Sequence, residues 1–163
     1  MSKRVFISGS MSINRLPKNA ITKLDSIIEK KIYVLIGDAK GADLQVQKYL
    51  VKKNYSNVII YYAGKDIRNN VGKWQTKHIS THIEKKSREL YTEKDKAMVK
   101  DTDYGLMIWD GKSKGTQNNI LNMKNAQKKF FVILDNMLVD DSHIDSLLNI
   151  SKDISIVKQP LLF

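Results

Sequence analysis

The sequence predicts an α/β fold over residues 1–163: a mostly parallel sheet of five or more strands, order 3-2-1-4-5, with helices on both faces. Three features predict it. Five short runs are apolar throughout, as strands covered on both faces require. Segments of helical character separate them, the sign of parallel strands joined by crossovers. The first, second and fourth runs stop at glycine-containing loops that fall at one end of such a sheet.

The elements follow in order. Val5-Phe6-Ile7, within Lys3–Ser8, is the first strand, closed by the small residues Ser8–Ser12. Pro17 suits the first turn of a helix, and Ala20, Leu24, Ile27 and Ile28 then fall at helical spacing. Ile32–Ile36 is the second strand; it ends at Gly37–Asp43, and Leu44, Val46, Tyr49, Leu50 and Val51 continue as a helix. Val58–Tyr62, Tyr104–Trp109 and Phe130–Leu134 are the third to fifth strands, with a helix over about Gln117–Lys128 between the last two. The connection Ala63–Asp103 is nearly twice the length of the others, and long excursions in compact domains usually serve function. Within it Thr92 suits a helix N-cap, with Asp95 at the third helical position. Residues 3–135 form the expected core. The extension 136–163 holds a helix over Ile144–Ile150 and a short apolar end, Ile154–Val157 and Leu161–Phe163.

Composition narrows the function classes. The chain has no cysteine, which excludes a disulfide framework and thiolate chemistry. No stretch has the length of a membrane span, and the N-terminus turns polar too soon for a signal peptide, so a cytoplasmic location without membrane contact is expected. Net charge is +11 and unevenly spread: residues 135–163 carry two Lys against five Asp, so the basic excess lies in residues 1–134. An anionic partner is the functional reading, a phosphorylated small molecule or nucleic acid, although only four of the 28 basic residues are Arg.

Three loops converge on the point where strand order reverses, where open α/β sheets hold ligands. They are Gly9–Ser12, Gly37–Asp43 and Asp110–Thr116. Gly9, Ser10, Gly37, Gly41, Gly111, Ser113, Gly115 and Thr116 would let backbone N–H groups approach a phosphate. Lys40, Arg68, Lys94 and Lys112 would supply charge. Asn69, Asn70 and Trp74 offer amides and a ring for base recognition. Two decoys fail on spacing. Gly111-Lys112-Ser113 lacks the earlier glycine of a P-loop, since position 106 is Leu. The four-residue spacing of His78 and His82 would put both on one face of a helix, but no glutamate follows His78 and no further ligand is evident, so no metal or cofactor is expected.

Four blocks together, Gly37–Asp43, Arg68–Trp74, Tyr91–Met98 and Asp103–Thr116, resemble the SLOG superfamily, the Rossmann-like group that includes the DNA-processing protein A and the "Lonely guy" phosphoribohydrolases. The match is nearest to a bacterial and phage branch of nucleotide-binding proteins and covers roughly residues 3–135. The resemblance implies a Rossmann-like three-layer sandwich, a nucleotide-type ligand and a homodimer. In the phosphoribohydrolases an Arg precedes the fourth strand and a Gly-Gly-x-Gly-Thr-x-x-Glu motif follows it. Here Gly115-Thr116 matches, Lys94 stands for the Arg and Asn119 for the Glu. An amide cannot serve as the carboxylate of glycosidic-bond cleavage, so sensing or sequestering a ligand is expected ahead of catalysis. Asp38, Asp43, Asp95 and Asp110 are the substitutes available to a hydrolase. Single-stranded nucleic-acid binding is the third reading.

Overall fold

The computed structural model describes residues 2–81 and 87–150, with the side chains of residues 149 and 150 left aside; His82 and the apolar end after residue 150 lie outside them. The predicted strands form as expected: β1 (Arg4–Gly9), β2 (Tyr33–Gly37) and β3 (Val58–Ala63) in the first half. Between them run α1 (Lys18–Glu29) and α2 (Ala42–Lys52). The long excursion holds β4 (Gln75–Ile79) and α3 (Arg88–Asp101). It is followed by β5 (Tyr104–Trp109), α4 (Lys114–Asn125), β6 (Lys129–Leu134), β7 (Met137–Asp140), a 3-10 turn and α5 (Ile144–Ile150).

The sheet has seven strands in the order β4-β3-β2-β1-β5-β6-β7, parallel except for β7. Its central five keep the expected 3-2-1-4-5 order, and an unpredicted strand is added at each edge. β4, Gln-Thr-Lys-His-Ile, is mostly exposed, so no apolar run marks it. Polar, charged edge strands are how sheets avoid pairing with other chains. β7 returns from β6 through the two-residue turn Asp135-Asn136, with Asp135 at φ 53°, a hairpin geometry that Asp tolerates.

Side-chain alternation divides the core into two layers. Ile7, Ile36, Val34, Leu106 and Ile108 face α1 and α2. Phe6, Leu35, Met107 and Val132 face α3, α4 and α5. The result is a three-layer sandwich with a mostly parallel central sheet, Rossmann-like in architecture.

Helix ends set where the loops begin. α1, α2 and α4 each stop through a non-glycine residue in the left-handed region: Lys31 (φ 57°), Asn54 (φ 53°) and Gln127 (φ 57°). After each, a backbone N–H returns to the helix, from Ile32 to Ile27, Tyr55 to Leu50 and Lys128 to Met123. That is the Schellman arrangement, which usually recruits glycine. α3 corrects the expected cap. It starts one turn before Thr92, with Ser87 accepting from the Leu90 N–H, because buried Leu90 needs the earlier turn to reach the core. Thr92 sits inside the helix and donates to the Arg88 carbonyl. α4 likewise begins earlier than expected, capped by Ser113, so Gly115 and Thr116 belong to its first turn.

Candidate functional site

Where strand order reverses, between β1 and β5, the C-terminal end of the sheet opens into a cleft of about 580 Å³. Its floor and walls come from the β1 loop, the start of α2, one face of α3 and the start of α4.

The two loops at the reversal point are tied together. The Ser10 N–H donates to the Ile108 carbonyl, and the Asp110 N–H donates to Ser10 Oγ. Ser10 Oγ also pairs with Thr116 Oγ1 at 3.3 Å, and the Ser12 hydroxyl donates to Asp110 Oδ2 at 2.7 Å. Asp110 Oδ1 accepts from the Lys112 and Ser113 N–H groups, folding the chain back to start α4. Partial burial would raise the Asp110 carboxyl, but the donors of Ser12, Ser113 and Lys112 hold it below the usual range. Gly9 allows the close approach: a β-carbon there would collide with the Ala42 side chain and the Ile108 carbonyl. A β-carbon on Gly41, which sits at φ 78°, would collide with the Met11 backbone.

Beneath the cleft lies a buried charge cluster. Asp38, fully buried at the end of β2, accepts from the Arg68 N–H and, at 2.6 Å, from its guanidinium. Lys94 Nζ lies 3.6 Å from Asp38 Oδ1. Burial pushes the Asp38 carboxyl up, but the Arg68 hydrogen bonds and the Lys94 charge outweigh it, and the group sits below its ordinary value. Asp43 has less help. Its backbone donor is the Ala39 N–H at 3.2 Å, and burial together with the neighbouring Asp95 raises it to about 7 despite Lys94. Burial likewise raises Asp95, against Lys94 and the Asn119 amide.

Asn119 takes the position on α4 where the resemblance sets a glutamate, and it does face the cleft. Its Nδ2 donates to Ser8 Oγ at 2.8 Å and to Asp95 Oδ2 at 3.1 Å, while its buried Oδ1 has no partner among the described residues. An orphaned buried acceptor is costly unless a ligand donor reaches it.

Of the predicted residues, Gly9, Asp43, Arg68, Lys94, Asp95, Asp110, Ser113, Gly115 and Thr116 line the cleft. Ser10, Gly37, Gly41 and Gly111 shape it from behind. Gly37 underlies Asp43 and Lys94, and Gly111 turns at φ 81°. Lys40 and Lys112 are exposed and do not line it. Asn69, Asn70 and Trp74 do not line it either. The Asn69 amide donates to the Asp38 carbonyl, Asn70 closes a turn through both backbone groups of Trp74, and the Trp74 ring N–H donates to the Tyr55 carbonyl. These bonds and those of Gln47 fasten the β3–β4 connection along α2.

Arg88 and Tyr91 also line the cleft, and neither was named as a site residue from the sequence. With α3 starting at Arg88, positions 88, 91 and 95 fall on one face, and the Arg68 guanidinium lies over the Tyr91 ring at 4.3 Å. The motif Ser87-Arg-Glu-Leu90 was the available signal, a cap residue three before a buried leucine.

Comparisons with family models, curated proteins and solved structures give no match to this chain. What the geometry defines is an α/β sheet with a polar, mixed-charge cleft at its strand-order reversal. No helix among the described residues is long and apolar enough to cross a membrane, and they hold no cluster of three potential metal ligands.

Proposed function

We propose that the protein binds a nucleotide or nucleotide-derived small molecule in this cleft, in the manner of a SLOG-type sensor or sequestering protein. The observation that carries the reading is the pairing of two opposite demands across one cleft. On one side lies the start of α4, where Lys114 and Gly115 present first-turn N–H groups that a helix leaves without internal partners. Arg88 adds positive charge, and Lys94 stands among the acids. The same cleft holds acceptors, the Asp43 and Asp95 carboxyls and the buried Asn119 Oδ1. A phosphate joined to a hydroxyl- or amine-bearing group meets both, and the resemblance to the SLOG superfamily supports that choice. A thermal-shift screen against nucleoside monophosphates, cyclic and linear dinucleotides, NAD and ADP-ribose tests it. A binder at about 100 times its Kd adds about 2.7 kcal/mol, a shift of several degrees; no shift from any of them would overturn the reading.

One observation favours a second reading, cleavage of a nucleotide N-glycosidic bond. Asp43 borders the cleft and holds its proton to about pH 7, so it is equipped to protonate a leaving base. Free base released from a nucleoside monophosphate by wild-type protein, and lost in Asp43→Asn, would establish it. Absence of release over prolonged incubation rejects it.

A further inference from the structure

A second concave surface lies at the opposite end of the sheet. α1 and α2 cover the β1–β3 part of their face, whereas β6 and β7 carry no helix on that side among the described residues. Two hollows of about 410 and 480 Å³ meet there, sharing Lys30, Ile32 and Tyr104. The first is walled by Lys23, Lys129 and Phe131, the second by Lys3 and Lys31.

The rings and charges are interleaved. Phe131 is 38% exposed, an unusual state for a phenylalanine in a sheet, and Lys23 Nζ lies 3.9 Å from its ring centroid. Lys3 Nζ lies 5.9 Å from the partly exposed Tyr104 ring. None of the five lysines has a carboxylate partner among the described residues. The acids of this surface, Asp140 and Asp141, lie at one end, and Asp140 is engaged by Ser142 and His143.

We propose that this groove binds single-stranded nucleic acid, with Phe131 and Tyr104 as stacking platforms and the surrounding lysines at the phosphates. Unpaired bases have exposed π-faces to lay on the rings, and their backbone supplies a run of negative charges for a lysine-lined groove. When a base takes the Phe131 ring, Lys23 is released to the adjacent phosphate, exchanging a weak exposed cation–π contact for stacking plus charge pairing. A duplex keeps its base faces inside the stack and cannot make this contact. A second copy of the chain fits less well, because Lys is depleted from protein interfaces and, among the described residues, Phe131 is the one large apolar side chain exposed in the groove. The proposal is independent of what the cleft binds.

The test is fluorescence anisotropy of the full chain with a labelled oligouridylate of about 12 nucleotides, a length within known stacking-site sizes, over about 50–300 mM salt. Binding that weakens steeply with salt is expected. Phe131→Ser, at an exposed position, should weaken it at least about fivefold at fixed salt without changing the salt slope. The double variant Lys23→Gln/Lys129→Gln should flatten the slope by about 1.4, two phosphates' worth for a single strand. Lys48→Gln/Lys52→Gln on α2, equal in charge change, should leave affinity unaltered. No binding at the lowest salt, equal losses in both double variants, or unchanged affinity of Phe131→Ser would each overturn the proposal. A wild-type dimer in sedimentation that Phe131→Ser converts to monomer would assign the face to a second copy and overturn it too.

Discussion

The Asp43 and Lys94 side chains close over Gly37 so tightly that a β-carbon on that glycine would lie 2.7 Å from Asp43 Oδ2 and 2.8 Å from Lys94 Nζ. Both distances are shorter than carbon tolerates. Its φ is unexceptional, so what favours glycine here is the pair of side-chain ends above it. Gly37→Ala must displace both side-chain ends, but they border the cleft and have room to move, so the loss should be about 1 kcal/mol, the low end of what overpacking costs. Urea unfolding measures it; a loss within error of zero would show that Lys94 swings away freely.

Asp43 makes stability depend on pH with an unusual sign. Its carboxyl is raised from 3.8 to about 7 in the folded chain, so between those values the native state holds a proton that the unfolded state has released. Unfolding then releases protons, and stability falls as pH rises from about 4 to about 7. Asp43→Asn removes the effect while keeping an acceptor for the Ala39 N–H. The variant should gain on the wild type, by on the order of a few kcal/mol, between about pH 5 and pH 8. Denaturant titrations at the two pH values give the difference directly, and parallel curves would reject the assignment.

Gly115 separates binding from folding. A β-carbon there meets nothing within 4 Å, so Asp is accommodated without strain. A carboxylate in the first turn of α4 suits the helix dipole, worth about 0.3–1 kcal/mol, and repels any anion at the same place. Gly115→Asp should keep or raise the melting temperature and weaken a phosphate-bearing ligand at least about tenfold, the cost of a like charge at roughly 1.4 kcal/mol. Retained affinity, read by calorimetry, would remove the α4 start from the site.

The three helix ends without glycine leave stability to be gained. Gln127 is exposed, and its left-handed backbone is one glycine adopts freely. Gln127→Gly should stabilise the fold by about 0.5–1 kcal/mol. A shift of the urea midpoint the other way would mean that unfolded-state entropy dominates.

The central strands were legible because burial on both faces demands unbroken apolar runs, as in Val5–Ile7 and Leu106–Trp109. β4 was hidden for the opposite reason: an exposed edge imposes no apolar pattern, and Gln-Thr-Lys-His-Ile reads like loop. The loops of the cleft could be located, since Gly9 and Gly41 mark close approaches that only small residues permit. Direction was not legible. Asn69, Asn70 and Trp74 have the chemistry to read a base, yet their hydrogen bonds are spent on Asp38, on a turn and on Tyr55. Arg88 and Tyr91 came to the cleft through the phase of α3, which rests on where its cap falls.

The ties between Ser12 and Asp110 and between Ser10 and Thr116 bear on timing as well as shape. Loops already fastened have no opening step to wait for. Ligand capture should then be a single encounter, with an observed rate that climbs linearly with concentration in stopped-flow mixing and never reaches a plateau.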